Sequence, residues 1–287
     1  MRRVVRVVVL GAAVVLGLSG CVSGTTDSAS ADGSATGLPS VITASGSLRI
    51  GVSPDFPPME YKAPDTQQTI GLDIELQDAL GQVLGIRIER VESPFDQLIN
   101  SSRTGRVDLV MSGLSDTKVR QETSDFVDYF MSRGRIYTLA SKAAGFTKAT
   151  DICGKTIAVS AKTDYYNQVK DLADRTCTSA RLPAVNILPT DSGAAARLQI
   201  EQGRADLAAQ GAENLIYINT KEQGKYQAVL DPLPASPFGI MIKKGGTQLT
   251  NAVLAAMKQL VASGRYQQIL DKYGVGYGAT TPVVNGG

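Results

Sequence analysis

The sequence contains no histidine. That excludes a Ser-His-Asp triad and any imidazole base. It also leaves structural zinc without ligands, because such sites take four Cys or His donors and only three cysteines are present. No HExxH motif, Walker A loop or glycine-rich dinucleotide turn after a strand occurs. A basic patch for nucleic acid is missing too: 29 Lys and Arg stand against 27 Asp and Glu, and three of the arginines fall within the first six residues. Without those three the formal charge drops from +2 to −1. Long apolar runs are scarce, and the one at Val7–Leu18 is too short to favour a permanent transmembrane helix. No cofactor, metal or nucleic-acid partner is therefore expected, and no residue is marked as catalytic.

What is present begins with that run. Arg2, Arg3 and Arg6 precede it and Leu18-Ser19-Gly20-Cys21 follows it, so residues 1–20 read as an export signal. Leu-Ser-Gly-Cys at this distance resembles the lipobox of bacterial lipoproteins, which implies cleavage before Cys21 and a lipid on its sulfur. An ordinary signal peptide that contains a cysteine is the alternative. The residues that follow are Ser, Thr, Ala, Gly and Asp with almost nothing to bury, and 21–45 is expected to be a flexible tether. An exported chain meets oxidising conditions, which makes Cys153 and Cys177 a disulfide candidate, with two buried thiols as the alternative.

From Ser47 onward, short apolar runs alternate with helical periodicity. Leu48–Val52 is strand-like; Leu72, Leu76, Ala79, Leu80, Val83 and Leu84 form a helical stripe closed by Gly85. Strands are expected again at Ile86–Val91, from Val107, at Thr156–Ser160, at Ala184–Leu188 and at Phe238–Ile242. Helices are expected at Tyr165–Ala173, Leu249–Val261 and Tyr266–Tyr273, and Gly274–Gly287 reads as a weak tail. This alternation predicts an α/β fold with a largely parallel sheet. One echo stands out: Gly105-Arg106-Val107-Asp108-Leu109 through Gly113 matches Gly203-Arg204-Ala205-Asp206-Leu207 through Gly211. It is either chance or the mark of two similar lobes, each presenting a strand's carboxyl end, where open α/β sheets bind ligands.

The chemistry on offer is that of binding. Phe56 in SPDFPPMEY and Phe95 in ESPFDQL each follow a strand and a proline, and the pair could sandwich a small ligand. Taken singly, each is also a candidate core residue. Ser112, Gly113 and Ser115 offer backbone N–H groups and hydroxyls at a strand end, and Arg120 offers a planar fork that fits a carboxylate. The plainer reading of Arg120 is a solvated helix charge. Ala161-Lys162-Thr163-Asp164 joins a strand to a helix whose N-terminus could take an anion, or Thr163 and Asp164 simply cap it.

LRIGVSPDFPPMEY, GLDIELQDAL, GRVDLVMSGLSDTKVRQETSDF, GRADLAAQG, FGIMIKKG and SGRYQQILDKYG, in that order and spacing, resemble the family 3 solute-binding proteins of amino-acid ABC importers. The resemblance implies a two-lobed periplasmic-binding-protein-like fold (type II), with two α/β lobes joined by strands crossing near Ser132 and Pro237. Lobe 1 would comprise 46–132 and 237–275, lobe 2 133–236, and 276–287 a C-terminal tail. It further implies a monomer that captures a small amino-acid-like ligand and delivers it to membrane permease subunits. By position, Phe56 and Phe95 match the ligand sandwich, Ser112, Gly113 and Ser115 its polar rim, Arg120 the α-carboxylate clamp, and Thr163 and Asp164 the helix N-terminus beside it. Gln210, just before Gly211, joins the ligand-binding set. The family's aspartate for the α-ammonium is Gly211 here, with Glu213 two residues on as a substitute, and an acid common in the family is Ser53. Two other readings use the same scaffold: an enzyme resembling cyclohexadienyl dehydratase, and a ligand-sensing domain for a membrane receptor.

Overall fold

The computed structural model describes residues 37–287, so the export signal, Cys21 and most of the expected tether lie outside the described residues. The chain enters through helix α1 (Ser40–Ser45), closed by Gly46 in the left-handed conformation. Leu38 and Ile42 are buried in the first core, so the tether expected to reach residue 45 ends earlier: these two apolar side chains dock the chain before the first strand.

Strand β1 (Ser47–Val52) is followed by three short strands, β2 (Asp55–Phe56), β3 (Glu60–Lys62) and β4 (Thr69–Ile70), which make a small sheet of their own. Helix α2 (Leu72–Leu84) carries the expected stripe into the core and ends at Gly85, whose φ of 64° only glycine adopts freely. Next come β5 (Arg87–Glu92), α3 (Leu98–Arg103), β6 (Leu109–Val110), α4 (Lys118–Gln121) and a 16-residue strand, β7 (Ser124–Leu139). The second half runs β8 (Thr156–Ser160), α5 (Asp164–Ala173), β9 (Asn186–Thr190), α6 (Gly193–Glu201), β10 (Leu207–Gly211), α7 (Ala212–Lys221) and β11 (Tyr226–Val229). Finally β12 (Ala235–Lys243), α8 (Thr247–Ala262) and α9 (Arg265–Lys272) return to the first core.

The main sheet has the order β5-β1-β6-β12-β7-β10-β8-β9, with β11 also on β7. β1 pairs in parallel with β5 and β6, and β8 in parallel with β9 and β10. Between these parallel sets run β7 and β12, antiparallel to each other from Ser124↔Lys243 to Arg133↔Ala235. The rest of β7, from Gly134 onward, pairs with β10 and β11. Two cores result. One gathers Leu48, Ile50, Leu76, Leu80, Phe130, Ile240 and Met257; the other gathers Ile157, Val159, Val169, Leu207 and Cys177. Each such fully buried aliphatic side chain contributes on the order of 1.5–3 kcal/mol. This is the two-lobed type II arrangement, with β7 and β12 as the crossing strands.

The sequence echo has a structural cause. In the first lobe, Arg49 N donates to Asp108 Oδ2 at 2.8 Å and Asp108 N donates back to Arg49 O at 2.9 Å. In the second, Thr156 N donates to Asp206 Oδ2 and Asp206 N to Thr156 O, both at 2.9 Å. Each aspartate thus clips the start of the parallel strand beside it and sets its register. Cys153 and Cys177 form a disulfide within the second lobe. The C-terminal tail differs from the weak segment expected. Asp128 N donates to Val283 O, Phe126 N to Asn285 Oδ1, and Gly287 N to Asp116 Oδ2, so the tail pairs along β7. No helix among the described residues is long and apolar enough to cross a membrane.

Candidate functional site

A cavity of about 60 Å³ opens where carboxyl ends of strands from both lobes meet. Phe56, Phe95, Gly113, Ser115, Arg120 and Phe238 line it from one side; Ser160, Thr163, Asp164, Tyr165, Asp191, Ser192, Ala209 and Gln210 line it from the other. A wider groove of about 640 Å³ lies along Arg133, Lys148, Arg175 and Leu230 but has no aromatic wall.

The aromatic wall is fixed by packing. Phe56 meets Phe238 edge-on at 6.1 Å, and Phe238 stacks on buried Phe130 at 5.8 Å. Gly113 is required beneath it: its φ is 51°, and a Cβ there would lie 2.8 Å from the Phe56 ring. Gly113 N–H is already used, donating to Asp73 Oδ2 at 2.9 Å. Behind it Ser112 is fully buried, with its hydroxyl donating to Glu60 Oε1 at 2.8 Å and accepting from Ser53 N at 2.9 Å. Ser112 therefore supports the loop and does not line the cavity, and of the expected polar rim only Ser115 presents its side chain there. Burial raises the carboxyls of both Glu60 and Asp73, Glu60 further because Asp73 is adjacent.

Arg120 is held by α4, where Thr117 caps the helix by accepting from Arg120 N at 3.3 Å. Its guanidinium donates to Ser115 O at 2.8 Å and, across the cleft, to Lys162 O at 3.2 Å. Among the described residues it has no ion-pair partner. Burial lowers its pKa, and the charges of Asp164 and Asp116 oppose that shift. The group is thus a half-buried cation at the cavity wall. Thr163 does not cap α5 with its side chain; its hydroxyl donates instead to Ser160 O at 2.8 Å. The N-terminus of α5 therefore reaches the cavity through Thr163, Asp164 and Tyr165. Asp164 Oδ2 accepts from Gln168 Nε2 at 2.8 Å.

A profile of the bacterial extracellular solute-binding proteins, family 3, matches residues 48–276. The chain belongs to this family. The arginine-binding protein ArgT of Corynebacterium glutamicum is 29% identical over 240 residues, spanning 83% of this chain and 77% of that protein. The L-arginine-binding protein of Pseudomonas aeruginosa is 28% identical, spanning 79% and 87%. Among solved structures, an ancestral amino acid-binding protein that is a precursor of cyclohexadienyl dehydratase superposes with a TM-score of 0.72 at 28% identity, covering 81% of this chain and 97% of that one. An ancestral arginine-binding protein bound to arginine does so with a TM-score of 0.71 at 25% identity, covering 79% and 98%. Solute binding is the role these relatives share.

Two departures of this chain from the family 3 pattern have different structural outcomes. At Ser53 the side chain is buried, but Asp55, two residues on, reaches the cavity wall. Burial raises the Asp55 carboxyl, and Ser53, whose hydroxyl donates to it at 3.4 Å, pulls the other way. At Gly211 the residue two positions on turns away. Glu213 is fully buried, accepts from Ser132 Oγ at 2.9 Å and from Tyr165 OH at 3.3 Å, and is not part of the wall. Its carboxyl is pushed up to about 7, chiefly by burial. Glu213 is therefore not where a cleft-bound ammonium group would meet it. Gln210 lines the cavity and donates to Asn214 Oδ1, while Asn214 donates across the cleft to Pro57 O. Lys162 is exposed and contributes only its carbonyl.

Asp55, Phe238, Ser160, Tyr165, Asp191 and Ser192 line the cavity without having been expected there. For Asp191 and Ser192 a signal existed. Thr190 ends β9 and Gly193 starts α6, with Ser192 capping it by accepting from Ala195 N at 3.1 Å. This is the same strand-to-helix junction as the one that marked Thr163.

Proposed function

We propose that this chain is the extracytoplasmic solute-binding lipoprotein of an ABC importer. It acts as a monomer anchored through lipid on Cys21, captures a small amino-acid-like carboxylate between lobe 1 (46–132 and 237–275) and lobe 2 (133–236), and hands it to permease subunits. The observation that carries the reading is Arg120, a half-buried guanidinium at the cavity wall with no carboxylate partner among the described residues. A ligand carboxylate fits the planar fork and would give this partly desolvated charge an anionic partner. Its second contact, to Lys162 O on the facing lobe, ties carboxylate capture to hinge closure. The names of the arginine-binding relatives agree with this ligand class.

The test is a thermal-shift screen of the purified protein against amino acids and their deaminated and decarboxylated analogues. Ligands of the folded state raise the midpoint by mass action. A midpoint that responds to none of the carboxylates ends the proposal. The dehydratase reading draws on one observation, the likeness to the cyclohexadienyl dehydratase precursor. Turnover of prephenate or arogenate by the same preparation would put that reading first.

A further inference from the structure

We infer that the C-terminal segment 283–287 is a strap that positions Arg120 for its ligand, acting on α4 through Asp116 and Gln121. The inference deepens the binding reading above and rests on Arg120 as the carboxylate clamp.

Helix α4 calls for such a support. It has only four residues, Lys118–Gln121, and none is buried. Val119, its one aliphatic side chain, is 75% exposed. An apolar face packed on the rest of the fold is what stabilises most helices, and α4 has none. The Arg120 bond to Lys162 O reaches the facing lobe and cannot fix α4 within its own. Inside its own lobe, the side chains of α4 bond to the 115–121 loop itself: Arg120 to Ser115 O, Lys118 to Gln121 and Gln121 to Asp116. Among the described residues one bond leaves that loop. Gln121 Nε2 donates to Gly287 O at 3.2 Å.

The joint is Asp116, which is buried. Its Oδ1 accepts from Gln121 Nε2 at 2.8 Å and its Oδ2 from Gly287 N at 3.0 Å. One carboxylate thus ties helix and strap together, and the Gln121 amide closes the ring by bonding to both. Asp116 N donates to Pro237 O at 2.8 Å, which fixes the joint to the crossing strand β12. The next residue back, Ser115, lines the cavity and accepts from the Arg120 guanidinium. A shift of the joint therefore reaches the clamp from both ends of the loop.

The strap is seated without help from α4. Val284 bridges to Val127, Asn285 N donates to Phe126 O at 3.1 Å, and Asn285 Nδ2 donates to Asp125 Oδ1 at 3.2 Å. Its end comes so close to the joint that a Cβ on Gly287 would lie 2.0 Å from Asp116 O. A larger residue there has to push the strap off the loop it holds.

Three variants test this: a chain ending at Pro282, Gln121→Ala and Gly287→Val. The two point variants keep the test sound should the shortened chain fold poorly. The first readout is amide hydrogen exchange of the ligand-free protein. Exchange over 117–121 should quicken by about tenfold or more, with that of β1 and α2 unchanged. The second is calorimetric affinity for L-arginine and L-glutamine against their α-amides, which lack the carboxylate. Affinity for the carboxylates should fall by about fivefold or more, because α4 is in place for a smaller fraction of the time, and that for the amides should not. In an Arg120→Ala background the same variants should change affinity by less than about twofold. A lower melting temperature with the preference for carboxylate over amide intact would make the strap structural only and overturn the inference. Unchanged exchange over 117–121 would do the same, and in both cases the binding reading stands. If wild type itself prefers neither amino acid over its amide, the binding reading fails and takes the inference with it.

Discussion

The Glu213 carboxylate stands where a side chain at position 211 would begin, with Oε1 1.7 Å and Cδ 2.5 Å from the Cβ position of Gly211. The two positions compete for one volume. Gly211→Asp should therefore not restore an ammonium acceptor; it should force two carboxylates into one buried space. The expected loss is at least about 2 kcal/mol, from overpacking and from a second buried charge. Adding Glu213→Ala should recover most of it, because neighbours that share a space are not additive. Urea unfolding of the single and double variants measures this, and equal midpoints would show that the two positions do not compete.

The same carboxyl predicts a pH dependence. Its pKa is raised from 4.5 to about 7, because burial disfavours the ionised form. In the unfolded chain the group ionises near its ordinary value, so between these two values the folded protein binds more protons than the unfolded one. The stability tied to Glu213 is thus fully present below about pH 4.5 and is lost as pH rises through 7. Glu213→Gln should match the wild type near pH 4 and exceed it by roughly 2–3 kcal/mol at pH 8. Parallel stability curves for the two proteins across that range would contradict the assignment.

Arg120 gives a prediction in which affinity and stability part company. Arg120→Ala should weaken a carboxylate ligand by about 30-fold or more, the loss seen when one partner of a buried hydrogen-bonded pair is removed. Arg120→Lys keeps a charge but not the planar fork and should fall between. Without ligand, Arg120→Ala should unfold close to the wild-type temperature, since the two hydrogen bonds of the half-buried guanidinium to carbonyls are offset by the partial desolvation of its charge. A ligand-free protein that melts much earlier would instead make Arg120 a structural residue.

Where the sequence was informative, one physical signal acted alone. The α2 stripe shows at helical spacing because one face is buried, and Gly85 shows because only its residue type tolerates the closing turn. The repeated aspartates at 108 and 206 show because each does the same job for a neighbouring strand. The long β7 strand was obscured at its crossing, where Ser132, Arg133 and Gly134 interrupt the apolar pattern as the strand leaves one core for the other. Ser112 and Glu213 were misplaced because residue type does not give side-chain direction: one hydroxyl turns inward to Glu60, and one carboxylate turns inward to Ser132. The docked tail was missed because most of its contacts use its own backbone, to β7 and to the side chains of Asp116 and Tyr266, and leave little mark in composition.

The rings of Tyr61 and Tyr217 lie 5.3 Å apart across the cleft, close to the Asn214 bond to Pro57 O. Both contacts join residues of opposite lobes, so both exist only while the lobes are closed. An aromatic pair of this kind adds about 0.5–1.5 kcal/mol beyond its buried area. Neither ring lines the ligand cavity, although Tyr217 borders the pocket beside it. Tyr61→Ala should thus act through the population of the closed state and not through ligand contact. The expected result is ligand release faster by about three- to tenfold with little change in association rate. Small-angle scattering should show a larger radius of gyration for the ligand-free variant than for wild type. Unchanged release together with an unchanged radius would mean that the ring pair contributes nothing to closure, and that the Arg120 and Asn214 bonds hold the lobes without it.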